Sequence, residues 1–188
     1  MSNTSKFVIQ NGVLIKCQCT SDSPASVVIP EGVTTITSGT FEGCTSLASV
    51  VIPESVTTIY HSAFKGCTSL TSVVIPEGVT AIYDRTFEGC TSLTSVVIPE
   101  GVTKIGSFAF EGCTLLASVV IPEGVTTIGR AAFKDCTSLA SVVIPKSVTE
   151  IGDEAFLGCF GLADEKGFVM IRNALYDYLG KEDNVVLP

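Results

Sequence analysis

Between Leu70 and Cys90 the chain reads LTSVVIPEGVTAIYDRTFEGC, and its apolar residues change rhythm within the stretch. Leu70, Val73 and Ile75 fall to one side of an extended segment and Val74 to the other, an alternation in β-branched residues that predicts a short strand closed by Pro76. Val79 and Ile82 mark a second short extended piece, after which YDRTFEGC turns the chain, buries Phe87 and returns it to Cys90. The pattern then begins again: CTSLTSVVIPEGVT at 67–80 recurs letter for letter at 90–103. Pro30, Pro53, Pro76, Pro99, Pro122 and Pro145 keep a 23-residue period, and so do six cysteines from Cys44 to Cys159 and six phenylalanines from Phe41 to Phe156. One inserted residue would break all three series at once.

A single unit buries too few apolar side chains to offset the entropy of ordering its backbone, so neighbouring units must supply the remainder. Stacking them about 4.8 Å apart lets each coil pair with the next and sets like residues over like. The pattern therefore predicts a β-rich solenoid of about six stacked 23-residue coils. The ends depart from it. FVIQNGVLIKC at 7–17 places two strand-like runs around Asn11-Gly12, a strong hairpin signal. FVMIRNALYDY at 168–178 matches it in length and pattern 161 residues later, which is seven periods. Just before this second copy, Glu165 and Gly167 stand one period beyond Val142 and Ile144, so the solenoid strand is expected to fail there. The expected organisation is a hairpin cap over 1–26, the solenoid over 27–162, and over 163–188 a second hairpin cap or the start of a further repeat block, since VVLP at 185–188 echoes VVIP.

The pattern Leu-x-x-Val-x-Ile-Pro-x-x-Val-x-x-Ile-x-x-x-x-Phe-x-x-Cys, running from residue 27 to about 162, resembles the BspA-like, Treponema-type leucine-rich repeat. The resemblance implies a right-handed leucine-rich-repeat solenoid with a β-sheet on one face and short strands or turns opposite. It also implies a non-enzymatic protein-interaction or adhesion module of a microbial surface or secreted protein, with a host, matrix or other cell-surface protein as partner. The different reading that stays open is a structural spacer or a self-assembling array without a specific ligand.

Composition narrows the partners. Nineteen acidic against eleven basic residues give a net charge of -8, and no Lys/Arg run offsets it, so a phosphate backbone would be repelled and nucleic acid is not an expected partner. No apolar run approaches the roughly 18 residues of a membrane-spanning helix. MSNTSKFVIQ has neither the basic start nor the apolar stretch of a signal peptide, so compartment rests on the resemblance, which favours the cell surface or secretion. Open coil edges leave self-association as a further possibility.

Little in the chain points to catalysis, to a cofactor or to a metal. Six cysteines one coil apart form a line rather than a tetrahedral set, and read best as small buried apolar residues in the reduced state. Cys17-x-Cys19 reads as two strand positions and as the pair with most scope for reactivity. His61, the only histidine, has no acidic residue at a spacing along the chain that would orient it as a base. Glu54, Glu77, Glu100 and Glu123 form an exposed ladder better suited to solubility than to calcium.

Two surfaces remain. The strand face repeats Val51, Val74, Val97, Val120 and Val143 with serines beside them, is uncharged, and hardly varies from coil to coil. The three positions after the second-strand isoleucine vary freely, from Thr37-Ser38-Gly39 to Gly152-Asp153-Glu154. Stacking would align Tyr60, His61, Tyr83, Arg85, Phe108 and Arg130 along one edge, and tyrosine, arginine and exposed aromatics are the types enriched at interaction hot spots. These six are the expected partner-binding residues, with the valine face as the alternative.

Overall fold

The computed structural model describes residues 7–17, 25–163, 168–171 and 174–178. Each coil contributes one strand of three residues and one of two. The first-strand series is β3 (Ser26–Val28), β5 (Ser49–Val51), β7 (Ser72–Val74), β9 (Ser95–Val97), β11 (Ser118–Val120) and β13 (Ser141–Val143). The second is β4 (Thr35–Ile36), β6 (Thr58–Ile59), β8 (Ala81–Ile82), β10 (Lys104–Ile105), β12 (Thr127–Ile128) and β14 (Glu150–Ile151). Pairing is parallel and in step with the repeat, as in Val73↔Val96 and Ile105↔Ile128. The strand expected from LTSVVIP shortens to its SVV centre, with Val73 buried and Val74 exposed, as the alternation requires. The six coils form the stacked β-rich solenoid expected from the repeat.

Each ladder has one interruption among the described residues: β9 and β11 belong to different sheets, and so do β6 and β8. Elsewhere the bonds flanking the second strand repeat from coil to coil, for example from the Thr103 N–H to the Thr80 carbonyl and from the Gly106 N–H to the Ile82 carbonyl. The corresponding bonds from Thr80 to Thr57 and from Tyr83 to Ile59 do not form.

Inside the coil, Phe41, Phe64, Phe87, Phe110, Phe133 and Phe156 are fully buried and stack with centroids 4.9–5.5 Å apart and planes within 11° of parallel. The cysteine beside each phenylalanine has a more specific task than filling space. The thiols of Cys67, Cys90, Cys113, Cys136 and Cys159 donate to the carbonyls of Phe41, Phe64, Phe87, Phe110 and Phe133 in the preceding coil at 3.0–3.2 Å. Cysteine is small enough for the stack and still offers a donor to a carbonyl that water cannot reach. Burial pushes the Cys67 thiol up to about 12 and raises Cys90, Cys113 and Cys136 further in the same direction. One cysteine corrects the expectation of a uniformly reduced row: Cys44 is disulfide-bonded. Cys17 is buried, while Cys19 lies outside the described residues, as do Glu165, Gly167 and 185–188.

The N-terminal hairpin, β1 (Phe7–Gln10) and β2 (Val13–Cys17), turns through Asn11 and Gly12, both at positive φ, which suits Asn-Gly. β2 pairs in parallel with β4, Leu14 against Ile36, so the hairpin continues the second-strand series beyond the first coil. Leu14 is fully buried there, and Phe7 meets Phe41 edge-on at 6.4 Å. The second hairpin, β15 (Phe168–Ile171) and β16 (Ala174–Tyr178), repeats the register and even the irregularity of the first, Val169/Met170 standing where Val8/Ile9 stood. A short 3-10 turn at Phe160–Leu162 follows the last coil. Among the described residues no helix is long and apolar enough to cross a membrane.

Candidate partner-binding edge

The variable turn after the second strand has a fixed backbone under changing side chains. Its third residue is left-handed in every coil: Gly39, Ser62, Arg85, Phe108, Ala131 and Glu154 all have φ between 51° and 65°. The conformation aims each N–H along the stack. Ser62 donates to the Asp84 carbonyl, Arg85 to Ser107, Phe108 to Arg130 and Ala131 to Asp153, at 2.8–3.1 Å. A non-glycine residue there costs roughly 1–2 kcal/mol, and the bond to the next coil opposes that cost. Only the first coil uses glycine.

The first turn residue divides the stack in two. In later coils it is glycine, and a Cβ on Gly106, Gly129 or Gly152 would lie 2.5–2.7 Å from backbone atoms of the coil beneath. Here the coils approach as closely as the main chain permits. In the second and third coils the position holds Tyr60 and Tyr83, whose rings lie 5.4 Å apart at 32°. The ladder interruption between β6 and β8 coincides with this tyrosine pair.

All six expected edge residues come together, in two adjoining groups. In the first, the His61 ring meets Tyr83 edge-on at 5.1 Å. In the second, the Arg85 guanidinium lies over the Phe108 ring at 4.5 Å, and that of Arg130 stands 6.0 Å from the same ring. Each is a cation on an aromatic face, a contact of about 0.5–1 kcal/mol at an exposed site. Asp84 links the groups: its Oδ1 accepts from the Ser107 N–H at 2.9 Å and its Oδ2 is 3.9 Å from His61 Nδ1. The expectation that His61 lacks an acidic neighbour therefore holds along the chain and fails across the stack, where 23 residues amount to one rung. Both side chains are about half exposed.

Residues not singled out in the sequence hold the cations in place. Glu88 binds Arg85 at 3.0 Å and Lys65 at 3.3 Å. Glu154 binds Arg130 at 3.4 Å and Lys134 at 2.8 Å, and the Lys134 bond keeps the Glu154 carboxyl below the ordinary range. Glu111, desolvated in its row and one rung from Glu88, is shifted upward. The available signal was the row Glu42, Lys65, Glu88, Glu111, Lys134, one residue after the repeat phenylalanines from Phe41 to Phe133, which carries both signs of charge beside the arginines. Among the described residues no three His, Cys, Asp or Glu side chains converge as metal ligands would.

Residues 15–139 match six copies of the BspA type leucine-rich repeat region. The fold is similar to that of a leucine-rich repeat protein from Bacteroides ovatus, at 32% identity over 82% of this chain and 43% of that one, with a TM-score of 0.75. A leucine-rich repeat protein of T. pallidum is also 32% identical, over 81% of this chain and 83% of its own, with a TM-score of 0.70. A leucine-rich cell surface protein from Faecalibacterium prausnitzii is 30% identical over 90% of this chain and 55% of its own, with a TM-score of 0.62. The chain thus spans less than half of the Bacteroides protein and little more than half of the Faecalibacterium one. No curated protein matches it.

Proposed function

Because the chain belongs to the BspA-type leucine-rich repeat family, we propose that it is a non-enzymatic protein-binding module of a microbial surface or secreted protein, and that the turn edge holds the partner. The observation that carries this reading is the contrast within each coil: the strands and core repeat almost unchanged, while the edge departs from the repeat and gathers Tyr60, His61, Tyr83, Arg85, Phe108 and Arg130 into one run of aromatic and cationic side chains. Such groups are the usual anchors of protein recognition. Two further points support the compartment. A relative of similar fold is a cell surface protein. The disulfide at Cys44 suits an oxidising environment.

The test replaces Tyr60, Tyr83, Arg85 and Phe108 together by Ala and measures binding to purified matrix and serum proteins immobilised on a sensor. Loss of one such anchor commonly costs about 2 kcal/mol or more, so a micromolar complex of the parent chain should vanish while circular dichroism stays unchanged. Undiminished binding by the quadruple variant would remove the edge from the reading.

A further inference from the structure

The most regular surface of the molecule is also its least polar. Val28, Val51, Val74, Val97, Val120 and Val143 stand in one row across the first-strand series, each 54–68% exposed. Strand propensity does not account for them, because the chain supplies its own comparison. Wherever else a β-branched side chain of a coil is exposed the residue is threonine, as at Thr34, Thr57, Thr80, Thr103, Thr126 and Thr149. Valine and threonine have the same shape and similar strand preference. Six valines out of six therefore select apolarity itself.

We propose that this row is a self-docking face on which a second copy of the chain packs sheet against sheet. Three features fit that occupant. The face carries no charge, so two chains of net charge -8 can meet there without opposing like charges. Part of its hydroxyls already bond within the stack, Thr71 donating to the Ala48 carbonyl, Thr94 to that of Thr71 and Ser49 to the Ser26 hydroxyl, so covering the face does not strand these groups. Its rungs repeat at about 4.8 Å, and a partner of any other spacing would lose register within a few coils, whereas a second copy keeps it throughout.

The area is sufficient. The valines alone expose on the order of 500 Å² per copy, at the upper end of what a monomer leaves bare, and the flanking Ser and Ala/Thr rows bring the face past the roughly 800 Å² per partner of a stable interface.

The rims fix the orientation. Beyond the valines run Glu31, Glu54, Glu77, Glu100 and Glu123, with Lys146 in the sixth coil, all exposed, and along the other side run uncharged threonines such as Thr68 and Thr91. With the two-fold axis parallel to the stack, the glutamate rim of one copy meets the threonine rim of the other, and each coil faces its own counterpart. With the stacks antiparallel, Glu54 would meet Glu123 and Glu77 would meet Glu100 in the four inner coils.

Sedimentation equilibrium up to on the order of 100 µM should show a dimer for the parent chain and a monomer for the variant with Val51, Val74, Val97 and Val120 all changed to Thr, with circular dichroism unchanged. A parent chain monomeric throughout, or a threonine variant still dimeric, would overturn the proposal. Oxidative cross-linking decides independently of how the threonine variant folds. Val51→Cys and Val120→Cys should each form a disulfide with its own counterpart in the second copy. Cross-linking only when the two variants are mixed, or none at all, would refute the arrangement.

Discussion

The buried thiols make stability at high pH a direct readout of the core. Cys67, Cys90, Cys113 and Cys136 are each held well above the ordinary thiol range by burial, Cys67 at about 12. In the unfolded chain they ionise near pH 8.5. The folded state therefore retains protons that the unfolded state releases, so the stabilisation is complete below about pH 8.5 and is lost as pH climbs toward the folded values. Each thiol contributes a slope of about 1.4 kcal/mol per pH unit, and four together about 5 kcal/mol per unit. A domain of ordinary stability, roughly 5–15 kcal/mol, would be exhausted within one to three pH units. Urea midpoints between pH 8 and 10.5 should fall steeply, and the Cys113→Ala, Cys136→Ala double variant should show about half the slope. The variant also separates the thiols from the tyrosines and lysines that titrate nearby. A stability flat to pH 10.5, or equal slopes in the two proteins, would mean that the thiols are not protected as the geometry requires.

Gly129→Ala puts a methyl 2.6 Å from the Ser107 nitrogen and 2.7 Å from the Gly106 carbonyl carbon, neither of which can swing away. It should cost about 2–3 kcal/mol and remove amide protection at Gly129, whereas Gly32→Ala, at φ 82° with open space around it, should cost only about 1 kcal/mol. Ser62→Gly relieves a left-handed serine at φ 57° and should leave the melting temperature unchanged or slightly raised. Ser62→Val should lower it clearly, which calorimetry on both variants would show.

The repeat made the coil legible because each residue type meets the same surroundings at every level. Phe87 and Cys90 could be assigned to the core without coordinates, since any other place for them would have to recur in every coil. The Asn11-Gly12 turn was equally plain, for few dipeptides adopt two positive φ values easily. What escaped the sequence lies across the stack. The thiol of Cys90 bonds the carbonyl of Phe64, 26 residues back, and Asp84 reaches His61 from the next coil. Neither relation shows as a local spacing. The left-handed positions were hidden because Arg85 and Phe108 occupy them where glycine would announce them. The disulfide at Cys44 sits in a cysteine series in which Cys67, Cys90, Cys113 and Cys136 are free thiols, and regularity concealed the exception.

Among the described residues, the hydrogen bonds that join coils reach only the adjacent coil. At the level of the gene this means that excising or copying one unit leaves every surviving coil with a complete set of donors and acceptors. Recombination between neighbouring repeats is then tolerated wherever it preserves the 23-codon frame. The letter-for-letter identity of 67–80 and 90–103 is the kind of trace such copying leaves. Reach can thus evolve in whole rungs, by slippage between like stretches of DNA, without a new core having to be invented.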